Sequence, residues 1–373
     1  MDILQICNGY LDTKLFDKLF TTLEKQQIKN NIYVPINKRK YVDAIIPKNV
    51  IVSKCFNSFD RVIFHLKHTK VLRDILKHYD INKIDLLHAH TLFSNGYIAY
   101  KLHEKYGIPY IVTVRNTDVN IFFKKMIYLR GLGIKIMRNA EQIIFLSPAY
   151  KENCISEYIP RNLQEKVTEK SVVLPNGINE YFLNNKFQDR VMINNKSKSL
   201  KVIYVGTING NKNIETTIKA CQILIEKGIC VTYTIVGDIK DDKIKSIIDE
   251  HKFIKYNPPC DKEQIVEYMR KADIFVMPSI TETFGLVYAE AMSQGLPVIY
   301  TKGQGFDKQF EEGQVGYSVD CFDHKAIAEK IIHVVDNYEI ISNSCVKLSS
   351  KFDWELISKQ YVKLYKEMRG EQI

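Results

Sequence analysis

Two glutamates eight positions apart, Glu282 and Glu290, flank the start of a helix-like run in residues 284–294 that is rich in small and apolar side chains. The first N–H groups of a helix have no partner inside it, and its dipole is positive at that end. The N–H groups of Phe284, Gly285, Leu286 and Val287 therefore form a seat for an anion, and Gly285 lets a phosphate come close. Glu290 is about two turns into the helix, where a carboxylate accepts hydrogen bonds from a sugar diol. A phosphate seat between two hydroxyl-binding acids has the outline of a nucleotide sugar: ribose, diphosphate, hexose. Either glutamate taken singly is equally well explained as a dipole partner or a solvated helix position. The combination with the glycine and the preceding Pro-Ser loop is what points to a ligand.

Such a helix start must be carried by a sheet. Residues 274–277 are an apolar run stopped by Pro278, the pattern of a buried parallel strand. A loop over residues 279–283 leads into the helix, Gly295 ends it, Pro297 blocks its continuation, and a further strand starts at Val298. This strand–loop–helix–strand unit directs the helix start into the crevice beyond the strand's carboxyl end, where open α/β sheets bind ligands.

The stretch Glu282-Thr-Phe-Gly-Leu-Val-Tyr-Ala-Glu290 resembles the signature of the GT-B glycosyltransferases of family 4, a Glu, seven residues, then a Glu. The resemblance implies a nucleotide-sugar donor, with Glu282 at the reacting end of the sugar and Glu290 on the ribose. It extends the donor set to Gly9, Thr207, Lys212, Glu282, Thr283, Phe284, Gly285, Leu286, Val287 and Glu290. Lys212, at the end of the loop after Leu200-Lys-Val-Ile-Tyr-Val-Gly206, matches the family's diphosphate-binding lysine. Thr207 stands where relatives commonly have an arginine, and Lys302 is a candidate for the missing charge. Gly9, in Asn8-Gly9-Tyr10, is a lone glycine where relatives have a richer loop, and a plain turn explains it equally well. Relatives hold the base near Asn257-Pro-Pro259, with Pro258 here replacing a glycine.

On the acceptor side the resemblance singles out His90, Arg115 and Asp118. Arg115 occupies the place of a family histidine and is the second expected catalytic residue beside Glu282. An arginine cannot act as a base, so its role would be charge stabilisation or binding of an acceptor anion. Asp118 is its expected partner, with a structural ion pair as the alternative. His90 either lines the acceptor pocket or packs structurally. His88 and His90 share one face of a strand, but no third metal ligand accompanies them. No Asp-x-Asp is present to hold a metal on the diphosphate, so neither a metal nor another cofactor is expected.

With 373 residues, 45% of them hydrophobic and 26% charged, the chain is globular and long enough for two domains. No apolar run reaches the length of a membrane span, and the start reads as a first strand rather than a signal peptide. The eight cysteines form no C-x-x-C, which points to a reducing compartment. The net charge of +10 is confined to the first half: residues 1–183 carry 27 basic and 17 acidic side chains, residues 184–373 carry 26 of each. That asymmetry suits an anionic partner such as a membrane surface, or else a plain solvated basic face. Nucleic acid is not expected, since no nucleic-acid motif occurs. Residues 59–78 pattern as an amphipathic helix with Val62, Ile63, Leu66, Val71, Ile75 and Leu76 on the apolar side. Residues 121–130 mix bulky apolar and basic side chains, suited to lipid headgroups if exposed and without functional meaning if buried.

The expected architecture is α/β, two Rossmann-like domains facing across a cleft, GT-B by resemblance. Residues 1–183 would bind the acceptor, 184–199 link, 200–350 bind the nucleotide sugar, and 351–373 form a helix returning to the first domain. The expected activity is retaining, metal-independent transfer of a hexose from a UDP-linked donor to a lipid-linked saccharide of bacterial surface-polysaccharide synthesis. The expected place is the cytoplasm, with peripheral attachment at the inner face of the membrane. A small soluble acceptor and a catalytically inactive nucleotide-sugar-binding relative are the alternatives. A Rossmann-type oxidoreductase is excluded because Asn8-Gly9-Tyr10 provides no G-x-G-x-x-G.

Overall fold

The computed structural model describes residues 1–43, 45–61, 63–187, 199–368 and 370. The chain folds as two units. One comprises Met1–Leu146, Lys151–Pro175 and Trp354–Ile373; the other comprises Ser147–Tyr150 and Asn176–Asp353. Residues 176–183, placed by the sequence reading with the first domain, thus belong to the second unit. Of the expected linker, residues 188–198 lie outside the described residues.

The strands of the first unit are β1 (Asp2–Ile6), β2 (Lys29–Asn37), β3 (Val50–Phe56), β4 (Leu86–Ala89), β5 (Tyr110–Val114), β6 (Gln142–Phe145) and β7 (Ser171–Val173), in the order β3-β2-β1-β4-β5-β6-β7. Those of the second are β8 (Ser199–Val205), β9 (Cys230–Val236), β10 (Ile254–Asn257), β11 (Ile274–Val276), β12 (Val298–Thr301) and β13 (Gly316–Val319), in the order β10-β9-β8-β11-β12-β13. Every pairing between these strands is parallel. Parallel sheets covered on both faces demand apolar side chains at nearly every position, and β4, β5, β11 and β12 are buried throughout. In each sheet the chain direction of travel reverses once, between β1 and β4 and between β8 and β11. These are the switch points at which loops part and a ligand crevice opens.

The C-terminal helix, Trp354–Glu367, packs in the first unit. Its Trp354, Ile357, Tyr361, Leu364 and Tyr365 join Phe16, Leu19, Phe20 and Leu23 of the Lys14–Lys25 helix in one core cluster. Leu356 points to solvent, since the buried stripe follows Ile357, Tyr361 and Leu364. The expected 59–78 helix divides into a 3-10 turn, Phe59–Arg61, and a helix, Phe64–His78. Val71 and Ile75 are buried on it as expected, whereas Ile63 and Leu66 are exposed, and Val62 lies outside the described residues. Among the described residues no helix is long and apolar enough to cross a membrane.

Candidate active site

The loops at the β8/β11 switch point carry the donor-side residues. Loop 207–212 follows β8 and ends at Lys212; loop 277–285 follows β11 and carries Glu282. The Lys212 ammonium donates to Glu282 Oε2 at 2.6 Å, and both side chains are mostly shielded from water. The other carboxylate oxygen, Oε1, accepts from the Thr283 N–H at 3.0 Å. Two residues read separately from the sequence therefore meet in one ion pair.

Neither loop is free to drift. Asn211 Oδ1 accepts from the Thr281 N–H at 3.1 Å and from its hydroxyl at 2.6 Å, while Asn211 Nδ2 donates to the Thr281 carbonyl at 2.9 Å. The Ile280 N–H donates to the Asn211 carbonyl at 2.8 Å. From the other side, the Glu282 N–H donates to Gln304 Oε1 at 2.9 Å and its carbonyl accepts from the Gly305 N–H at 2.7 Å. A Cβ on Gly305 would lie 1.9 Å from the Thr283 carbonyl oxygen, so only glycine lets the 301–307 turn close on this loop. Beneath, Asn213 Nδ2 donates to the carbonyls of Pro278, at 3.1 Å, and Cys321. The sequence reading missed Asn211, Asn213, Gln304 and Gly305. Their only sequence signal is the Asn-rich and Gly-rich character of two loops, which marks turns in general.

The helix itself runs Leu286–Ser293, starting two residues later than the spacing suggested. Gly285 is its N-cap in the left-handed region, φ +75°, and Phe284 is buried against the Phe352 ring at 5.5 Å. Phe284 thus offers the site its backbone alone. Tyr288 anchors the helix from below by donating its hydroxyl to the Met277 carbonyl. Glu290 lies on the second turn. Burial pushes its carboxyl up to about 7, because a charge in a poorly solvated place disfavours ionisation. Thr207 is exposed and its carbonyl accepts from the Tyr204 hydroxyl at 2.8 Å. Lys302 is exposed on the loop after β12.

Gly9, His90, Arg115 and Asp118 belong to the first unit, at the carboxyl ends of β1, β4 and β5. Gly9 caps a 3-10 turn, Tyr10–Asp12, with ordinary negative φ, and a Cβ there would press on the Phe16 ring at 3.3 Å. His90 packs structurally, the second of the two expected alternatives. It is buried between the rings of Phe16, Phe20 and His88, and Nε2 lies 2.8 Å from Gln5 Oε1. His88 is likewise internal, bridging the Tyr365 hydroxyl at 2.8 Å and Thr113 at 3.0 Å. Burial and the nearby Arg115 charge depress both imidazoles, His88 to about 3, so both are neutral at pH 7.

Asp118 has a structural part. Its carboxylate accepts from the N–H groups of Leu92, Phe93 and Arg115 at 2.9–3.0 Å, which ties the β4 loop to the β5 loop. Its oxygens are directed at backbone, and burial pushes its carboxyl up to about 6 against those three donors and the nearby Arg115 charge. Arg115 donates from Nε to the His90 carbonyl at 2.8 Å, with its guanidinium 4.6 Å over the Phe16 ring. Of these three first-unit residues only Arg115 keeps open surface. Among the described residues no group of three His, Cys, Asp or Glu side chains forms a metal site.

Comparison with known proteins decides the family. The model described as "Glycosyl transferases group 1" matches residues 185–351, and that described as "Glycosyltransferase Family 4" matches residues 19–181. The chain belongs to the family 4 glycosyltransferases of GT-B fold. An uncharacterised glycosyltransferase of Methanocaldococcus jannaschii is 27% identical over 329 residues, 84% of this chain and 87% of that one. The alpha-monoglucosyldiacylglycerol synthase of Acholeplasma laidlawii is 24% identical over 87% of this chain and 83% of its own. The capsular polysaccharide biosynthesis glycosyltransferase CapM of Staphylococcus aureus is 28% identical over 62% and 64%. Among solved structures, the sucrose-phosphate synthase of Thermosynechococcus elongatus superposes with a TM-score of 0.76 at 19% identity, covering 99% of both chains. Anabaena HepE in complex with UDP-glucose superposes at 0.65 and 15% identity, covering 98% of this glycosyltransferase and 100% of HepE.

Proposed function

We propose that this glycosyltransferase moves a hexose from a UDP-sugar to a lipid-linked saccharide during bacterial surface-polysaccharide synthesis, with retention of configuration and without a divalent metal. The reading rests on the Lys212–Glu282 pair beside the Leu286–Ser293 helix start. In it the ammonium and the first helical N–H groups take the diphosphate, Glu282 orients the sugar, and the ionised Glu290 accepts from the ribose diol. The bond from the sugar's anomeric carbon to the diphosphate breaks as the bond to the acceptor oxygen forms on the same face. The acceptor proton passes to a leaving phosphate oxygen. Charge that a metal would otherwise carry falls to Lys212 and the helix dipole. The basic excess of residues 1–183 and the names of the Acholeplasma and Staphylococcus relatives support an acceptor tied to lipid or polysaccharide. A cytoplasmic location at the inner membrane face follows from that acceptor.

The test is incubation with UDP-hexoses and UDP-N-acetylhexosamines in EDTA, with slow donor hydrolysis and product anomer read by NMR and mass spectrometry. Release of UDP and an initially retained anomer are expected. No UDP binding, or turnover only after a divalent ion is restored, would overturn the reading.

A further inference from the structure

Residues 118–129 form an irregular bridge between β5 and the Arg130–Asn139 helix: a π-helix, Asp118–Phe123, then a 3-10 turn, Ile127–Leu129. The bridge is tightly held from beneath. Asp118 ties its start to backbone, Phe123 stacks on Tyr158 at 5.0 Å, and Phe122 stacks on Phe93 at 4.6 Å. Arg130 Nε donates to the Phe123 carbonyl at 2.6 Å, which locks its far end. Yet the side chains on its outer side are large, apolar and bare: Tyr128 is 73% exposed, Ile127 63% and Ile121 42%. A fold that fastens a segment so firmly and turns such groups to water has left apolar area to be covered by something else.

The face continues onto the neighbouring helix. Phe122 meets the Phe64 ring at 6.1 Å, and in the stretch that leads into that helix Phe59 and Ile63 are exposed. The charged side chains exposed on the bridge are basic, Lys124 and Lys125; farther along, Lys135 pairs with Glu104 at 3.6 Å. The acid beside Phe59, Asp60, is buried and neutralised by Lys70 at 2.7 Å. A second copy is disfavoured as occupant, because a two-fold contact would set these lysines against each other.

We infer that this face of the first unit docks on an anionic lipid bilayer, with Ile121, Ile127 and Tyr128 entering the headgroup region and Lys124 and Lys125 meeting lipid phosphates. Apolar side chains with a tyrosine, rimmed by lysines, suit the boundary between acyl chain and headgroup. The inference deepens the lipid-linked acceptor reading by naming the surface that would bring the enzyme to such an acceptor.

The test is flotation of the full chain with vesicles of phosphatidylcholine, alone or with 30% phosphatidylglycerol, at roughly 50 and 500 mM salt. Wild type is expected to float with anionic vesicles at low salt and to be released at high salt. Lys124→Gln/Lys125→Gln should weaken partition roughly thirtyfold, and Ile127→Ser/Tyr128→Ser at least about tenfold. Both variants should keep the wild-type melting temperature and UDP-sugar hydrolysis without vesicles. Absence of wild-type binding at low salt, or wild-type binding by both variants, overturns the inference. So does a dimer, seen by sedimentation, that Ile127→Ser/Tyr128→Ser splits. Vesicle binding without donor hydrolysis would instead sink the catalytic reading and leave the surface standing.

Discussion

Glu290 makes two demands of opposite sign, and one substitution separates them. Its carboxyl rises from 4.5 to about 7 on folding because burial penalises the charge. Between those values the folded chain holds a proton that the unfolded chain has released, so stability falls as pH rises from 4.5 to 7 and is flat above. At about 1.4 kcal/mol per unit the loss reaches about 3 kcal/mol at pH 8. Glu290→Gln keeps the shape and removes the charge. Urea unfolding should therefore show the variant more stable than wild type by up to about 3 kcal/mol at pH 8, and the two converging near pH 4.5. Nucleotide binding should run the other way. If the ionised carboxylate accepts from the ribose, wild-type affinity for UDP at pH 5.5 carries the cost of ionisation, about thirtyfold for 1.5 units. Calorimetry should show wild type binding UDP roughly ten- to hundredfold more tightly than the variant at pH 8, with that ratio shrinking towards one at pH 5.5. Taking the ratio cancels titration of the UDP phosphate, which both proteins meet alike. A variant that unfolds with the wild-type pH profile would refute the buried-carboxyl argument, and a ratio independent of pH would refute the ribose assignment.

Three further outcomes follow from the same geometry. Glu282→Ala should abolish turnover while UDP affinity stays the same or rises, because Lys212 loses its competing partner; Lys212→Met should weaken UDP binding at least about tenfold, and isothermal calorimetry distinguishes the two. Gly305→Ala should cut donor hydrolysis severely with little change in far-UV circular dichroism, since the new Cβ collides with the Thr283 carbonyl and displaces the Glu282 loop; wild-type rates in this variant would contradict the clamp. In the first unit His88 and His90 are buried neutral with depressed proton affinity, so stability is full above about pH 6.5 and is lost as pH falls below it, because the unfolded chain binds protons that the folded one refuses. Acid titration followed by tryptophan fluorescence of Trp354, which lies in that unit, should report this loss, and His88→Gln should shift its midpoint downward.

The α/β class, the parallel strands and the helix carrying Glu290 were legible in the chain because each is written in residues a few positions apart. Apolar runs broken by Pro or Gly, and a Glu-x7-Glu spacing across a helix start, depend on local periodicity and backbone chemistry alone. The fate of individual polar side chains was not legible. His90 and Asp118 sit at strand ends, where a ligand is expected, yet the Lys14–Lys25 helix covers the one with Phe16 and Phe20 and the β4 loop presents backbone N–H groups to the other. Similarly, the 121–130 segment had equal claims to an exposed and a buried reading until its packing showed which side chains Phe93 and Tyr158 hold and which remain outside. The sequence by itself determined which segments become strands and helices and which residue types stand at their ends. Only the tertiary structure decided that Lys212 meets Glu282 from 70 positions away, and that His88 is held by Tyr365 from 277. The reason is that sheet order and the closing of distant loops choose a polar group's partners, and no short-range pattern encodes either.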